Sequence, residues 1–166
     1  LFVILSFGFN LFTGKVGYAV ENKPSYIIDL IVIWLGNLIG AMVSAGLILC
    51  TRISGISDKA NKICETKLND TLLSNFILAF FCGMLMFIAA DGYKNIKNTV
   101  GKMLVIFLPV VVFILSGFEH CIANMFYFTI AQVWSLRTVG YLMIMTLGNA
   151  VGGIFIPLLR KGFIKM

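Results

Sequence analysis

Apolar residues run along this chain in long blocks separated by short polar stretches, with neither the alternation of a half-buried strand nor the narrow stripe of a surface helix. A helix needs roughly 20 mainly apolar residues to cross a bilayer. Tyr26–Cys50, Thr71 to about Ala90, Met103–Ile130 and Val139–Leu159 each meet that length and predict four spans. Residues 1–14 are apolar but too short, and they end in Asn, Thr and Gly, so they predict a half-helix followed by a loop. Lys15–Ser25, with Glu21, Lys23 and Pro24, reads as a connecting loop, and the nearly charge-balanced Thr51–Asp70 as a solvated loop or short surface helix. Gly36, Gly40, Ala41, Ser44, Ala45 and Gly46 give the first full span a face on which a second helix can approach closely.

The third block is unlike the others. Its second half, Ser116-Gly117-Phe118-Glu119-His120-Cys121-Ile122-Ala123-Asn124-Met125-Phe126, carries a carboxylate, the only histidine and an amide, and Pro109 lies in its first half. One ionisable group at the centre of a spanning helix costs about 2.5–3.5 kcal/mol. Two adjacent ones predict either a polar pair that ties helices together or a path for a substrate or ion. Irregular backbone at that depth is tolerated only against protein or a water-filled cavity, so this span is expected to be broken.

Self-similarity organises the blocks. Leu35-Gly36-Asn37-Leu38-Ile39-Gly40 recurs as Leu147-Gly148-Asn149-Ala150-Val151-Gly152, and Ile4-Leu5-Ser6-Phe7-Gly8-Phe9-Asn10 is similar to Ile114-Leu115-Ser116-Gly117-Phe118-Glu119 with one residue of slip. Each half therefore holds a broken helix followed by an LGNxxG helix. The two LGNxxG helices lie three spans apart and cross in opposite directions, which predicts an inverted repeat with its site near the midplane. The expectation is a single transmembrane domain over residues 1–166, with repeat halves of about 1–50 and 71–159. The second half opens with a full span that the first lacks, so one further helix and a half is expected before residue 1, making six spans in the whole protein.

Composition agrees: 60% of residues are hydrophobic and 12% charged, against an apolar share of about 45–50% in soluble domains. The net charge of +6 is scattered over short loops rather than gathered into a stripe, which speaks against nucleic acid. Lys94, Lys97 and Lys102 stand against one acid in 91–102, and Arg160, Lys161 and Lys165 follow the last span, so both segments are expected on the cytoplasmic side. Cys50, Cys64, Cys82 and Cys121 have no metal-ligand or redox spacing, and no metal, cofactor or disulfide is expected.

Ser116–His120 with Ile122–Phe126, joined to Leu11-Phe12-Thr13 and the two Gly-Asn pairs, resembles the formate/nitrite transporter family. The resemblance implies an all-α membrane protein with an aquaporin-like inverted repeat, two broken transmembrane helices, and a homopentamer with one path through each protomer. It implies small monovalent weak-acid anions as substrates: formate, nitrite, hydrosulfide, acetate or lactate. His120 matches the family's central histidine, Thr13 the loop threonine facing it, and Asn124 an asparagine one turn beyond. Leu11, Phe12 and Phe113 match the residues that narrow the path, and Lys67 the vestibule lysine. A further aromatic is expected just before Leu1. The location implied is a bilayer, that of the bacterial cytoplasmic membrane.

An anion entering an apolar slit loses hydration, which raises its pKa and favours the neutral acid. On this reading Lys67 concentrates the anion, the slit promotes its protonation, and His120 either gives the proton or offers only a hydrogen bond. Glu119 would hold the imidazole or cap the broken backbone. Asn37 and Asn149 read as interhelical hydrogen-bonding partners rather than path contacts. A neutral-solute channel is the alternative on the same plan, but Asn-Pro-Ala pairs at the breaks are lacking. A membrane enzyme would need more than one histidine and one glutamate.

Overall fold

In the computed structural model, which describes residues 1–53 and 55–164, the chain folds into helices, with no strand among the described residues. They are α1 (Phe2–Ser6), α2 (Phe12–Lys15) continued by a 3-10 helix (Val16–Val20), α3 (Tyr26–Leu49), α4 (Ile56–Asn69), α5 (Leu72–Asn95), α6 (Thr99–Leu115), α7 (Cys121–Ile130) and α8 (Leu136–Ile164). Lys165 of the basic tail lies outside the described residues.

Among the described residues three helices are long and apolar enough to cross a membrane: Tyr26–Leu49, Leu72–Asn95 and Leu136–Gly162. At 1.5 Å per residue the 24 residues of α5 rise about 36 Å, so the ends of α5 lie on opposite faces. The block predicted as one span over 103–130 is two pieces, α6 and α7, with residues 116–120 between them. The 51–70 stretch resolves into the surface helix α4, the second of the two forms expected for it. The predicted loop 15–25 is shorter than its polarity suggests, because α2 and the 3-10 turn run through residue 20. Packing accounts for that extension: Val16 is buried, and a Cβ on Gly17 would meet the Phe87 ring at 2.3 Å and the Gly153 carbonyl oxygen at 2.5 Å.

α5 and α8 form the tightest pair. The glycines of the second LGNxxG element let the backbones touch: a Cβ on Gly148 would fall 2.6 Å from Phe76 O, and one on Gly152 1.9 Å from Phe80 O. Gly83 makes the reciprocal approach from α5, where a Cβ would lie 2.2 Å from Asn149 O. Backbone leaves no side chain to swing aside, so Gly152→Ala is expected to destabilise the fold by about 1–3 kcal/mol. Detergent-denaturation midpoints of parent and variant check this, and an unchanged midpoint would refute the close approach. At the matching glycines of the first element, Gly36 and Gly40, an added Cβ would meet nothing within 4 Å.

α3 and α4 pack on α7, and α6 lies against α5. The buried core gathers Phe12, Val16, Leu30, Met125, Phe128, Leu142 and Met145 between these elements. Large apolar side chains on α3 and α6, including Val32, Ile39, Val43, Phe107 and Leu108, face outward, as expected of surfaces turned to hydrocarbon or to another protein.

Candidate functional site

Both broken helices are built the same way. α1 is capped by Phe7, and Gly8 turns the chain with φ +71°, allowing the Phe9 N–H to donate to Ile4 O at 2.8 Å. α6 is capped by Ser116, and Gly117 does the same with φ +65°, with the Phe118 N–H donating to Phe113 O at 3.0 Å. A positive φ is open to glycine without the Cβ penalty, and this six-residue closure satisfies the last carbonyls of each half-helix. Four residues after each glycine a new helix starts, at Phe12 and at Cys121.

The first amides of the new helices would be orphaned at membrane depth. Each is met by the asparagine of an LGNxxG helix. Asn37 Oδ1 accepts the Phe12 N–H at 3.0 Å, while its Nδ2 donates to Asn10 O at 3.1 Å. Asn149 Oδ1 accepts the Cys121 N–H at 2.8 Å, while its Nδ2 donates to Glu119 O at 2.8 Å and Ala79 O at 2.7 Å. These residues read in the sequence as bonds between helices; the structure shows that their partners are mainly the free backbone groups of the breaks.

This scaffold brings Thr13 and His120 together from the two halves. Thr13 Oγ1 and His120 Nε2 are 3.0 Å apart, with Thr13 fully buried and the histidine nearly so. His120 is also the N-cap of α7, where its Nδ1 accepts the Ala123 N–H at 3.2 Å. With Nδ1 committed as an acceptor, the neutral ring carries its proton on Nε2 and donates to the threonine oxygen.

Beside the imidazole is a recess of about 890 Å³. Leu11 and Phe113 line it, the Phe113 ring lying 5.8 Å from that of His120. Its wall also includes Met86, Val110, Ile122, Ala123 and Phe126, residues that in the sequence are indistinguishable from ordinary packing, and Asn37 and Ser44 of α3. Phe12 departs from the expected constriction. It lines a separate apolar groove with Leu30, Trp34 and Thr146, because Phe12 is the first residue of α2 whereas Leu11, its extended N-cap, stands outside the helix and is the one turned to the recess.

Lys67, Glu119 and Asn124 form a second group. The Lys67 ammonium lies 2.6 Å from Glu119 Oε2, which also accepts Asn124 Nδ2 at 2.7 Å; the carboxylate is buried and the lysine largely so. Among the described residues these are the bonds of the Glu119 side chain, so it neither orients the imidazole nor caps the break. Asn124, expected to line the path one turn beyond His120, instead sits with Glu119 and Met145, and is absent from the lining of the recess. The cap explains this, since a residue with φ −103° and ψ 113° stands outside the helix and its side chain is out of register with that of residue i+4. Asn124 Oδ1 is buried without a partner among the described residues.

Among the described residues no His, Cys, Asp and Glu side chains gather into a group able to hold a metal. Burial pushes the thiol of Cys64, on α4, up to about 11, so it stays protonated at neutral pH and is not a nucleophile.

Comparison with known proteins gives this geometry its context. A family profile described as formate/nitrite transporter matches residues 1–161. The uncharacterized transporter YwcJ of Bacillus subtilis is 32% identical over 165 residues, covering 89% of this chain and 64% of the relative. The formate channel FocA of Haemophilus influenzae is 28% identical over 155 residues, covering 74% and 54%. The chain thus spans between half and two-thirds of the length of these relatives. A solved pentameric formate channel with formate bound superimposes with a TM-score of 0.81 at 26% identity, over 99% of this chain and 78% of the other. A second solved chain, an FNT family ion channel, has the same fold with a TM-score of 0.80 at 23% identity, over 98% and 72%.

Proposed function

The chain belongs to the formate/nitrite transporter family, an integral membrane family of channels and transporters rather than enzymes, and from that premise we propose that it forms the path for a small monovalent weak-acid anion, carried through the apolar recess as the neutral acid. The observation that supports this best is the Thr13–His120 contact of 3.0 Å, which joins the two broken helices at the edge of that recess. In a wall otherwise dominated by apolar side chains a bare anion would forfeit its hydration, whereas the protonated acid needs one or two hydrogen-bonding partners. In this reading His120, which lines the recess, is such a partner once its Nε2–H turns from the Thr13 oxygen to the acid.

The capped Nδ1 favours a hydrogen-bonding histidine over a relaying one. Placing a second proton on the ring would set an N–H against the Ala123 N–H and undo the start of α7. The proton therefore enters with the substrate from water at the mouth of the path, driven by the substrate's own raised pKa.

Formate and nitrite are the favoured substrates; hydrosulfide, lactate or acetate is the alternative within the same mechanism, and passage of a neutral solute the alternative outside it. The protein works as a homopentamer in this proposal, in keeping with the pentameric formate channel it resembles. The 91–102 loop and the end of α8 face the cytoplasm and the bilayer is that of the bacterial cytoplasmic membrane, in keeping with the lysines of that loop.

A flux panel in proteoliposomes, comparing formate, nitrite, hydrosulfide, lactate and glycerol, tests the proposal. Uptake of one or more of the weak acids should rise as external pH falls toward that acid's pKa, with proton movement alongside and no glycerol flux. Glycerol flux without weak-acid flux would overturn it.

A further inference from the structure

The end of α5 opposite Lys67 gathers more cations than the acids there can match. Lys15, Lys94 and Lys102 line one depression of about 620 Å³, and among the described residues none of the three has a carboxylate within 4.0 Å. The nearby acids are taken by an arginine: Asp91 accepts Arg160 Nη1 at 3.0 Å, and Glu21, on the wall of the depression, meets Arg160 Nη2 at 3.4 Å. Lys94 Nζ lies 5.0 Å over the Tyr18 ring and Lys102 Nζ 5.0 Å over the Tyr93 ring. Both rings line the depression, so two of the three ammoniums are held against its wall by aromatic faces.

Each ammonium offers three N–H donors and a full charge. A weak acid of the formate type brings two oxygens and a single charge, and would leave most of these donors to water. A phosphate chain brings several oxygens and more than one charge, so it can meet all three lysines at once. The volume suits a small molecule, whose sites run to about 300–1,000 Å³.

The depression also abuts the path. Phe9, the residue after the turn at Gly8, lines both the depression and the recess beside His120. Leu5 and Gly8 of the first broken helix line the depression with it.

We propose that this depression binds a small soluble polyphosphate anion, held by Lys15, Lys94 and Lys102 across Phe9 from the recess, and that the bound anion slows the weak acid by occupying that mouth of the path. The slowing rests on the transport proposal above; the binding does not.

Isothermal titration of inorganic pyrophosphate into the full chain, held in phosphatidylcholine nanodiscs, tests the binding. The parent should bind it, more weakly as salt rises, and Lys94→Gln/Lys102→Gln should weaken binding by about tenfold or more. Lys94→Arg/Lys102→Arg should keep it, as should Lys59→Gln/Lys62→Gln on α4, with circular dichroism confirming that each variant is folded. Pyrophosphate on both sides of proteoliposomes should slow weak-acid uptake by the parent more than by the glutamine variant. The proposal is overturned if the parent binds no pyrophosphate, if a folded glutamine variant binds it as tightly, or if weak-acid uptake runs undiminished with pyrophosphate bound. It is overturned too if phosphatidylglycerol in the nanodisc displaces pyrophosphate, which would make the lysines a site for lipid. A parent that binds pyrophosphate and takes up no weak acid would sink the transport reading and uphold the binding site.

Discussion

Vesicles reconstituted with His120→Asn are expected to go on taking up protons together with formate, at a rate within about tenfold of the parent, because the substitution removes one hydrogen bond worth about 0.5–1.5 kcal/mol. Asparagine is among the best N-cap residues, so the Ala123 N–H keeps an acceptor and α7 keeps its start. What changes is the donor offered beside Thr13, and with it the preference among acids of different shape. Proton coupling survives because, on this reading, the proton comes from the mouth of the path and is held by the substrate itself. Internal pH and substrate uptake measured in the same vesicles decide the matter. Formate uptake with no accompanying proton movement would show that the imidazole relays the proton, and the inference from its capped Nδ1 would fall.

Lys67→Ala should be more damaging. Removing one partner of a buried ion pair leaves an uncompensated charge, at a cost of about 3–5 kcal/mol. The Glu119 side chain is only 5% exposed, and among the described residues its one bond without the ammonium is to Asn124. A vestibule lysine would lose flux mainly at low substrate concentration and low salt. The observed pairing predicts something else: loss of folded protein and of flux at every substrate concentration, insensitive to ionic strength. Lys67→Ala/Glu119→Gln should recover much of the stability, since glutamine carries no charge and still accepts from Asn124. Denaturation midpoints of both variants test the pairing independently of transport. A single variant as stable as the parent, with a double variant no better, would return Lys67 to the surface.

The plan of the fold is readable in the sequence because it is written in glycines and repeats. Gly8 and Gly117 mark both breaks, and the LGNxxG elements mark the helices that brace them. Side-chain direction is not legible in the same way. Leu11 and Phe12 are equally apolar and adjacent, yet one faces the recess and the other packs against α3, a difference set by where α2 begins. Counting one helical turn from His120 misplaces Asn124, because a cap residue lies outside the helix. Val16–Val20 reads as loop because its polar neighbours outweigh a short apolar run whose burial depends on Phe87 and Gly153, far away in the chain. Met86 and Phe126 carry no mark at all, since an apolar residue lining a cavity and one filling a core have the same chemistry.

The bracing of the second break also sets an order of assembly during synthesis. Lys67 lies 52 residues before Glu119, so the carboxylate enters the membrane with its cation already made. The Cys121 amide and Glu119 carbonyl depend on Asn149, which lies 28 residues after Cys121 and so reaches the membrane later than the break does. Until α8 arrives, α6 and α7 are two short apolar helices, of 17 and 10 residues, joined by backbone with unmet hydrogen bonds. The nascent chain must therefore hold this segment beside water or the insertion machinery rather than in open lipid until α8 follows it into the membrane.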